Sequence, residues 1–306
     1  MALDPSRLPA FIKEIGRGRN AARDLSREDA QTLFSAMLFG EVPDLQLGGI
    51  LVALRIKGES MEELAGFMAA CEGSYEHLPA PRATPVVIPS YNGARQLPNL
   101  VPLLAMLLAR AGIPALVHGV MRDPGRVSTR EVFEALGVAP AASIDETSAQ
   151  LDERRFAFMP VERLAPRVTS LLDLRASLGV RNSAHTLVKM LQPFSAPALR
   201  IVSVTHPEYV LRMREFYTRH DTGALILRGA EGEAVAHPRR EPSIDWAHGG
   251  KVQTWTSEAA PPADLPSRNA AETARWIERV LAGEIAVPAA IAHQIECVQR
   301  ALKEMR

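Results

Sequence analysis

The residues of this chain best suited to chemistry stand at the ends of short apolar runs. Ser90, Tyr91, Asn92 and Gly93 end TPVVIP, and His118-Gly119 ends PALV. Thr205-His206 ends RIVSV, and Arg228-Gly229 ends GALIL. Small and polar residues in such places let backbone N–H groups approach an anion. They do not by themselves identify a ligand. His118 and His185 have no nucleophile partner and read as pocket histidines rather than catalytic bases. Cys71 and Cys297 have neither a disulfide framework nor metal-ligand spacing. What remains is positive charge in three stretches. Lys13 to Arg27 holds five basic residues against two acidic, and Arg95 to Arg130 holds five against one. Arg163 to Lys189 again holds five against one. One such stretch alone is a set of solvated arginines; three that converge in space make a polyanion-binding face.

Two kinds of segment must position these residues. Residues 1–77 read as helices only. Leu8, Phe11, Ile12 and Ile15 have helical spacing; Ser26 opens a second helix ended by Gly40; a third covers Leu45 to Ile56; and Ser60 with Glu63 forms a capping box. The Pro-rich HLPAPRATP follows as a linker. Beyond it, TPVVIPS, PALVHG, FAFMP, RIVSVTH, GALILRG and KVQTWT read as short strands separated by helices, the first of these helices from about Leu97 to Ala111. This is the pattern of a mostly parallel, covered sheet, and ligands of such sheets bind beyond the strands' carboxyl ends. A helical excursion over 161–197 is longer than one crossover needs and is expected to rejoin the helical domain. Helices over 268–281 and 289–303 close the chain. The fold class is therefore α/β: a small helical domain, 1–77 with part of 161–197, and a large α/β domain, 78–306, with a mostly parallel central sheet. Trp246, Trp255 and Trp276 are assigned to core or interface, and Arg239-Arg240 to a solvated loop.

The bulk properties fit an ordinary globular protein, with 47% hydrophobic and 23% charged residues. No apolar run reaches membrane-spanning length, no signal-peptide pattern opens the chain, and cysteine usage suits a reducing cytoplasm. Formal net charge is zero, which weighs mildly against nucleic-acid binding. The acidic block of Glu59, Glu62, Glu63, Glu72 and Glu76 nevertheless offsets basic stretches elsewhere, so a basic face is compatible with neutrality.

The segment LSREDAQTLFSAMLFGEVPDLQLGGILVALRIKGESMEELAGFMAAC resembles the N-terminal helical domain of the anthranilate phosphoribosyltransferase and pyrimidine nucleoside phosphorylase superfamily. The order of later elements extends the resemblance over essentially the whole chain. It implies an active site in a cleft beside the helical domain and a homodimer formed through that domain. It also exposes four departures. The family's pyrophosphate loop, GTGGDG, is replaced by PSYNGAR, leaving Gly93, with Ser90 and Asn92 as donors and Tyr91 and Arg95 as bulky intrusions. The family's KHGNR and paired serines keep only His118 and Gly119; Val120, Met121, Pro124 and Gly125 replace the phosphate-gripping residues. Of the anthranilate-contacting motif, Arg175 and Arg181 remain, while His185 stands at an Asn and Val188-Lys189 at a Gly-Pro. The magnesium-binding Asp-Glu pair is reduced to Glu233 followed by Ala234. Losing three donors worth about 3 kcal/mol each removes on the order of 10⁶ in rate.

The variants RNSAHTLVKMLQPF and RGAEGE resemble a branch of the superfamily that keeps the fold and the dimer, lacks demonstrated transferase activity and binds nucleic acid with little sequence preference. The resemblance thus implies a DNA- or RNA-binding homodimer. Its phosphate contacts are expected from Arg17, Arg19, Arg23, Arg122, Arg126, Arg130, Arg175, Arg181 and Lys189. No cofactor is expected, magnesium entering only if phosphoribosyl pyrophosphate binding survives, and no membrane partner. Arg175 and Arg181 fit interhelix ion pairs equally well, and Tyr91 fits either base stacking or apolar cover. The competing reading is a transferase of altered substrate, with Arg122, Arg175 and Glu233 rebuilding a phosphate site.

Overall fold

A computed structural model describes residues 3–18, 20–220, 223–258 and 263–305. In chain order the elements are helices α1 (Leu8–Ile15), α2 (Arg27–Leu38), α3 (Asp44–Lys57) and α4 (Met61–Glu72); strand β1 (Val86–Ser90); α5 (Val101–Arg110); and β2 (Ala115–Gly119). Helices α6 (Thr129–Ala135) and α7 (Ile144–Arg154) lead to β3 (Phe156–Pro160), α8 (Val161–Leu164), α9 (Pro166–Asp173), α10 (Arg175–Leu178) and α11 (Ala184–Leu187). Then come β4 (Leu199–Val204), α12 (Pro207–His220), β5 (Ala224–Arg228), β6 (Ser243–His248), β7 (Lys251–Thr256), α13 (Ala270–Leu281) and α14 (Ala289–Glu304). The chain divides into a helical unit, Met1–Glu76 with Ala165–Pro193, and an α/β unit, His77–Leu164 with Phe194–Arg306.

In the helical unit, local sequence chemistry sets the helix starts. Ser26 accepts from Asp29 N–H ahead of α2. Ser60 and Glu63 form the capping box of α4. Glu63 is fully buried and also accepts from Leu25 N–H and from the Lys57 ammonium, so one capping carboxylate ties three segments together. Phe34 and Phe67 stack at 4.6 Å between α2 and α4. The excursion forms no single long helix. Pro166 starts α9 and Gly179 ends α10, so the chain folds back in short turns.

The α/β unit is built on a seven-stranded sheet in the order β3-β2-β1-β4-β5-β6-β7. The first five strands are parallel, and β6 and β7 join antiparallel. Every residue of β1, β2 and β3 is buried, as a sheet covered on both faces requires. Strand β6 departs from the sequence expectation. Its buried Asp245 interrupts the apolar signal, and the fold accommodates it through a two-point pair with Arg214 at 2.6 and 2.7 Å. Helix α5 begins at Val101, later than Leu97, because Pro98 precedes Asn99, whose side chain accepts from Val101 N–H. Trp246, Trp255 and Trp276 are all buried.

Candidate functional site

Strand β1 ends in a loop, 91–100, that directs a row of backbone N–H groups to one side. Those groups are already engaged. Glu233, 2% exposed, accepts from Asn92 N–H and Gly93 N–H at 2.7 Å each. The Ser90 hydroxyl donates to its other oxygen, and Thr129 lies 2.7 Å from the same hydroxyl. Glu231 accepts from Arg95 N–H at 2.7 Å, Gln96 N–H at 3.0 Å and Leu97 N–H at 3.3 Å. Two carboxylates of the same chain thus take the backbone donors of the loop. That is how a glycine-rich loop holds an anion, but here the anion is internal.

The backbone of 229–235 is bent to make this possible. Glu231 has φ +55°, a left-handed conformation that a residue with a Cβ adopts at a cost of about 1 kcal/mol or more. Gly232 has φ +86°, and a Cβ there would stand 2.0 Å from the Asn92 amide nitrogen. Only glycine fits between the two carboxylates. Arg126 adds to the closure by donating to Asn92 O at 2.8 Å.

His118 sits at the end of β2, fully buried. Its Nδ1 is 2.6 Å from the Tyr91 hydroxyl, while its Nε2 has no hydrogen-bond partner among the described residues. The expected satisfied histidine is therefore satisfied on one side only. Burial pushes its pKa down to about 3, which removes it as a base near neutral pH. Tyr91 packs edge-on to the imidazole.

Magnesium does not fit this arrangement. Glu233 is buried and engaged by N–H and O–H donors, and Ala234 offers no ligand. Among the described residues no group of three or more His, Cys, Asp or Glu side chains is placed to hold a metal ion.

The helical unit is charged differently. His185 lies on α11, where Asn182 N–H donates to its Nδ1 at 3.3 Å. Burial lowers its pKa to about 4, reinforced by the charges of Arg181, Arg175 and Lys189. All three are cations, so the imidazole stands in the field of both retained arginines and of Lys189. Arg55, at the end of α3, reaches the same segment by donating to Arg181 O at 3.0 Å. The sequence reading missed Arg55, whose only local signal is its place in a helix's last turn. Arg175 is exposed and has no ion-pair partner among the described residues.

Several of the other expected phosphate contacts are held in ion pairs. Arg17 is bonded to Glu14 at 2.7 Å, and Arg23 stands 3.8 Å from the same carboxylate. Arg126 pairs with Asp123 at 3.6 Å and Arg130 with Glu134. Arg122 is exposed without a described partner, Arg95 is an exposed loop residue, and Arg19 lies outside the described residues. Gly119 pairs with Ser90 in the sheet register.

A family model described as glycosyl transferase family, helical bundle domain, matches residues 9–72. The chain is 47% identical over 293 residues to Uncharacterized protein YbiB of Escherichia coli (strain K12), covering 94% of this chain and 92% of that protein. It is 29% identical over 301 residues to an anthranilate phosphoribosyltransferase of Synechococcus sp. (strain JA-3-3Ab), covering 89% and 84%. Among solved structures, an anthranilate phosphoribosyltransferase of Thermus thermophilus matches with a TM-score of 0.80 at 26% identity, over 96% of this chain and 89% of that one. The Saccharomyces cerevisiae enzyme in complex with PRPP and Mg shares the fold, with a TM-score of 0.78 at 16% identity over 98% and 90% of the two chains.

Proposed function

The chain belongs to the anthranilate phosphoribosyltransferase-like family, in the branch that contains YbiB, and on that premise we propose that it binds nucleic acid, DNA in particular, without sequence preference and without transferase activity. The observation that carries this reading is the positive charge that Arg181, Arg175 and Lys189 exert at His185, with Arg55 bonded into the same segment. Cations gathered on one surface of a helical unit track phosphates and read no base. The loop after β1 supports the loss of transfer chemistry, because Glu231 and Glu233 hold the donors that a pyrophosphate would need. The protein acts as a homodimer paired through the helical unit. Leu45 and Ile56 of α3, 90% and 64% exposed, supply an apolar face for that contact. Two copies joined in this way raise apparent affinity by avidity.

The test is a salt-titrated anisotropy assay with single- and double-stranded DNA and with RNA. The logarithm of affinity is expected to fall linearly with the logarithm of salt, by about 0.9 for each duplex phosphate contacted. Affinity that stays constant across the titration overturns the reading. Titration calorimetry with phosphoribosyl pyrophosphate and magnesium is expected to show no saturable heat; tight magnesium-dependent binding would restore the enzyme.

A further inference from the structure

A second basic site lies in the α/β unit, beginning at Arg228, the first residue of RGAEGE. A cavity of about 200 Å³ opens between α12, the end of β5 and the start of β6. Val210, Leu227 and Ile244 give it an apolar wall, and Arg228, Arg240 and His237 also line it. A third arginine on the wall, Arg214, is neutralised by its two-point pair with Asp245. Arg228 and Arg240 have no side-chain partner among the described residues. Against them stands one further carboxylate, Glu241, so the lining keeps a net positive charge. His237 Nδ1 accepts from Arg239 N–H at 3.2 Å, which leaves Nε2 as the protonated nitrogen of the neutral ring and a third donor.

We propose that this cavity binds a phosphoryl group, gripped by the Arg228 and Arg240 guanidinium groups. Two guanidinium groups outweigh the single Glu241 carboxylate, and their forked donors suit the three terminal oxygens of a phosphate monoester better than the two oxygens of a carboxylate. The apolar wall leaves room for a small organic body beside the phosphate. Partial burial, then the charges of Arg240 and Arg239, lower the pKa of His237 from its ordinary value. The inference stands apart from the nucleic-acid reading, since it uses no residue of the helical unit.

The experiment is calorimetric titration of the full chain with inorganic phosphate and with acetate, at low ionic strength, read alongside backbone amide NMR shifts. Saturable phosphate binding is expected, with shifts concentrated at 226–228 and 236–245. The Arg228→Ala/Arg240→Ala variant should lose more than about tenfold in affinity while the Arg228→Lys/Arg240→Lys variant keeps part of it. Both arginines lack internal partners, so an unchanged melting temperature is expected in each case. The idea fails if the alanine variant binds phosphate as the parent does, or if acetate binds as tightly. An Arg175→Ala/Arg181→Ala variant should leave phosphate affinity unchanged; a loss there places the phosphate in the helical unit and overturns the assignment. A 5′-phosphorylated dinucleotide tested against its 5′-hydroxyl form separates the two sources of the group. Preference for the phosphorylated form assigns it to a nucleic-acid end. Weak binding of both beside tight inorganic phosphate assigns it to a free small phosphoester.

Discussion

The loop after β1 and the turn around His185 handle charge in opposite ways. In the loop, backbone donors remain, but the chain supplies its own anions: Glu233 on Asn92 and Gly93, Glu231 on Arg95 to Leu97. Around His185 the cations remain, and the charges that act on the imidazole are Arg181, Arg175 and Lys189. A backbone nest is small and directional, so two carboxylates fill it. Long cationic side chains around a partly buried ring spread their charge over a broader field than a backbone nest does. The comparison teaches that a donor set can be kept for stability where the chain itself supplies the counter-charge.

The largest way to break the contrast is Glu233→Ala. It strands two buried N–H groups and the Ser90 hydroxyl, and the α/β unit should lose about 3–5 kcal/mol. Urea unfolding reads this directly, and an unchanged midpoint would mean that the internal anion is not structural. Gly232→Ala comes next, at about 2 kcal/mol, because the new Cβ meets the Asn92 side chain in a backbone conformation that favours glycine. Full stability in that variant would show that 229–235 relaxes freely.

On the other side of the comparison, the Arg175→Ala/Arg181→Ala/Lys189→Ala variant should lower DNA affinity by about tenfold, ~1.4 kcal/mol, and reduce the salt slope by about 3. Parental salt dependence in that variant would remove the helical unit from the binding surface. The smallest effect is the titration of His185. Its folded pKa, about 4, lies below the ordinary 6.5, so between those values the unfolded chain binds more protons. Stability of the helical unit therefore rises with pH across that window and is lost as pH falls towards 4. A bound polyanion offsets the three cations and lifts this pKa, so binding takes up protons and tightens below neutral pH. Imidazole NMR shifts with and without DNA report it; an unmoved His185 titration would place the ligand elsewhere.

Much of the scaffold was legible in the sequence. Capping at Ser26 and Ser60, the apolar runs of β1 to β5, and the loss of the glycine loop and paired serines are local facts of residue type and spacing. Such features depend on neighbours a few residues away, which is why periodicity and capping chemistry report them. Strand β6 was hidden because its buried aspartate is acceptable only beside Arg214, 31 residues earlier.

The roles within the sites were settled by tertiary structure. By sequence Glu233 is the remnant of a metal pair, and Glu231 carries no local signal of a role. Their carboxylates meet loop donors 134 to 141 residues distant, an approach fixed by the parallel packing of β1, β4 and β5. Arg239 and Arg240 are both exposed, as expected of a solvated loop pair, and the fold sets Arg240 on a cavity wall with Arg228. Sequence by itself determined which charges and donors the chain carries. Only the folded structure decided which of them neutralise one another, because Coulombic and hydrogen-bonding partners are chosen by distance in space.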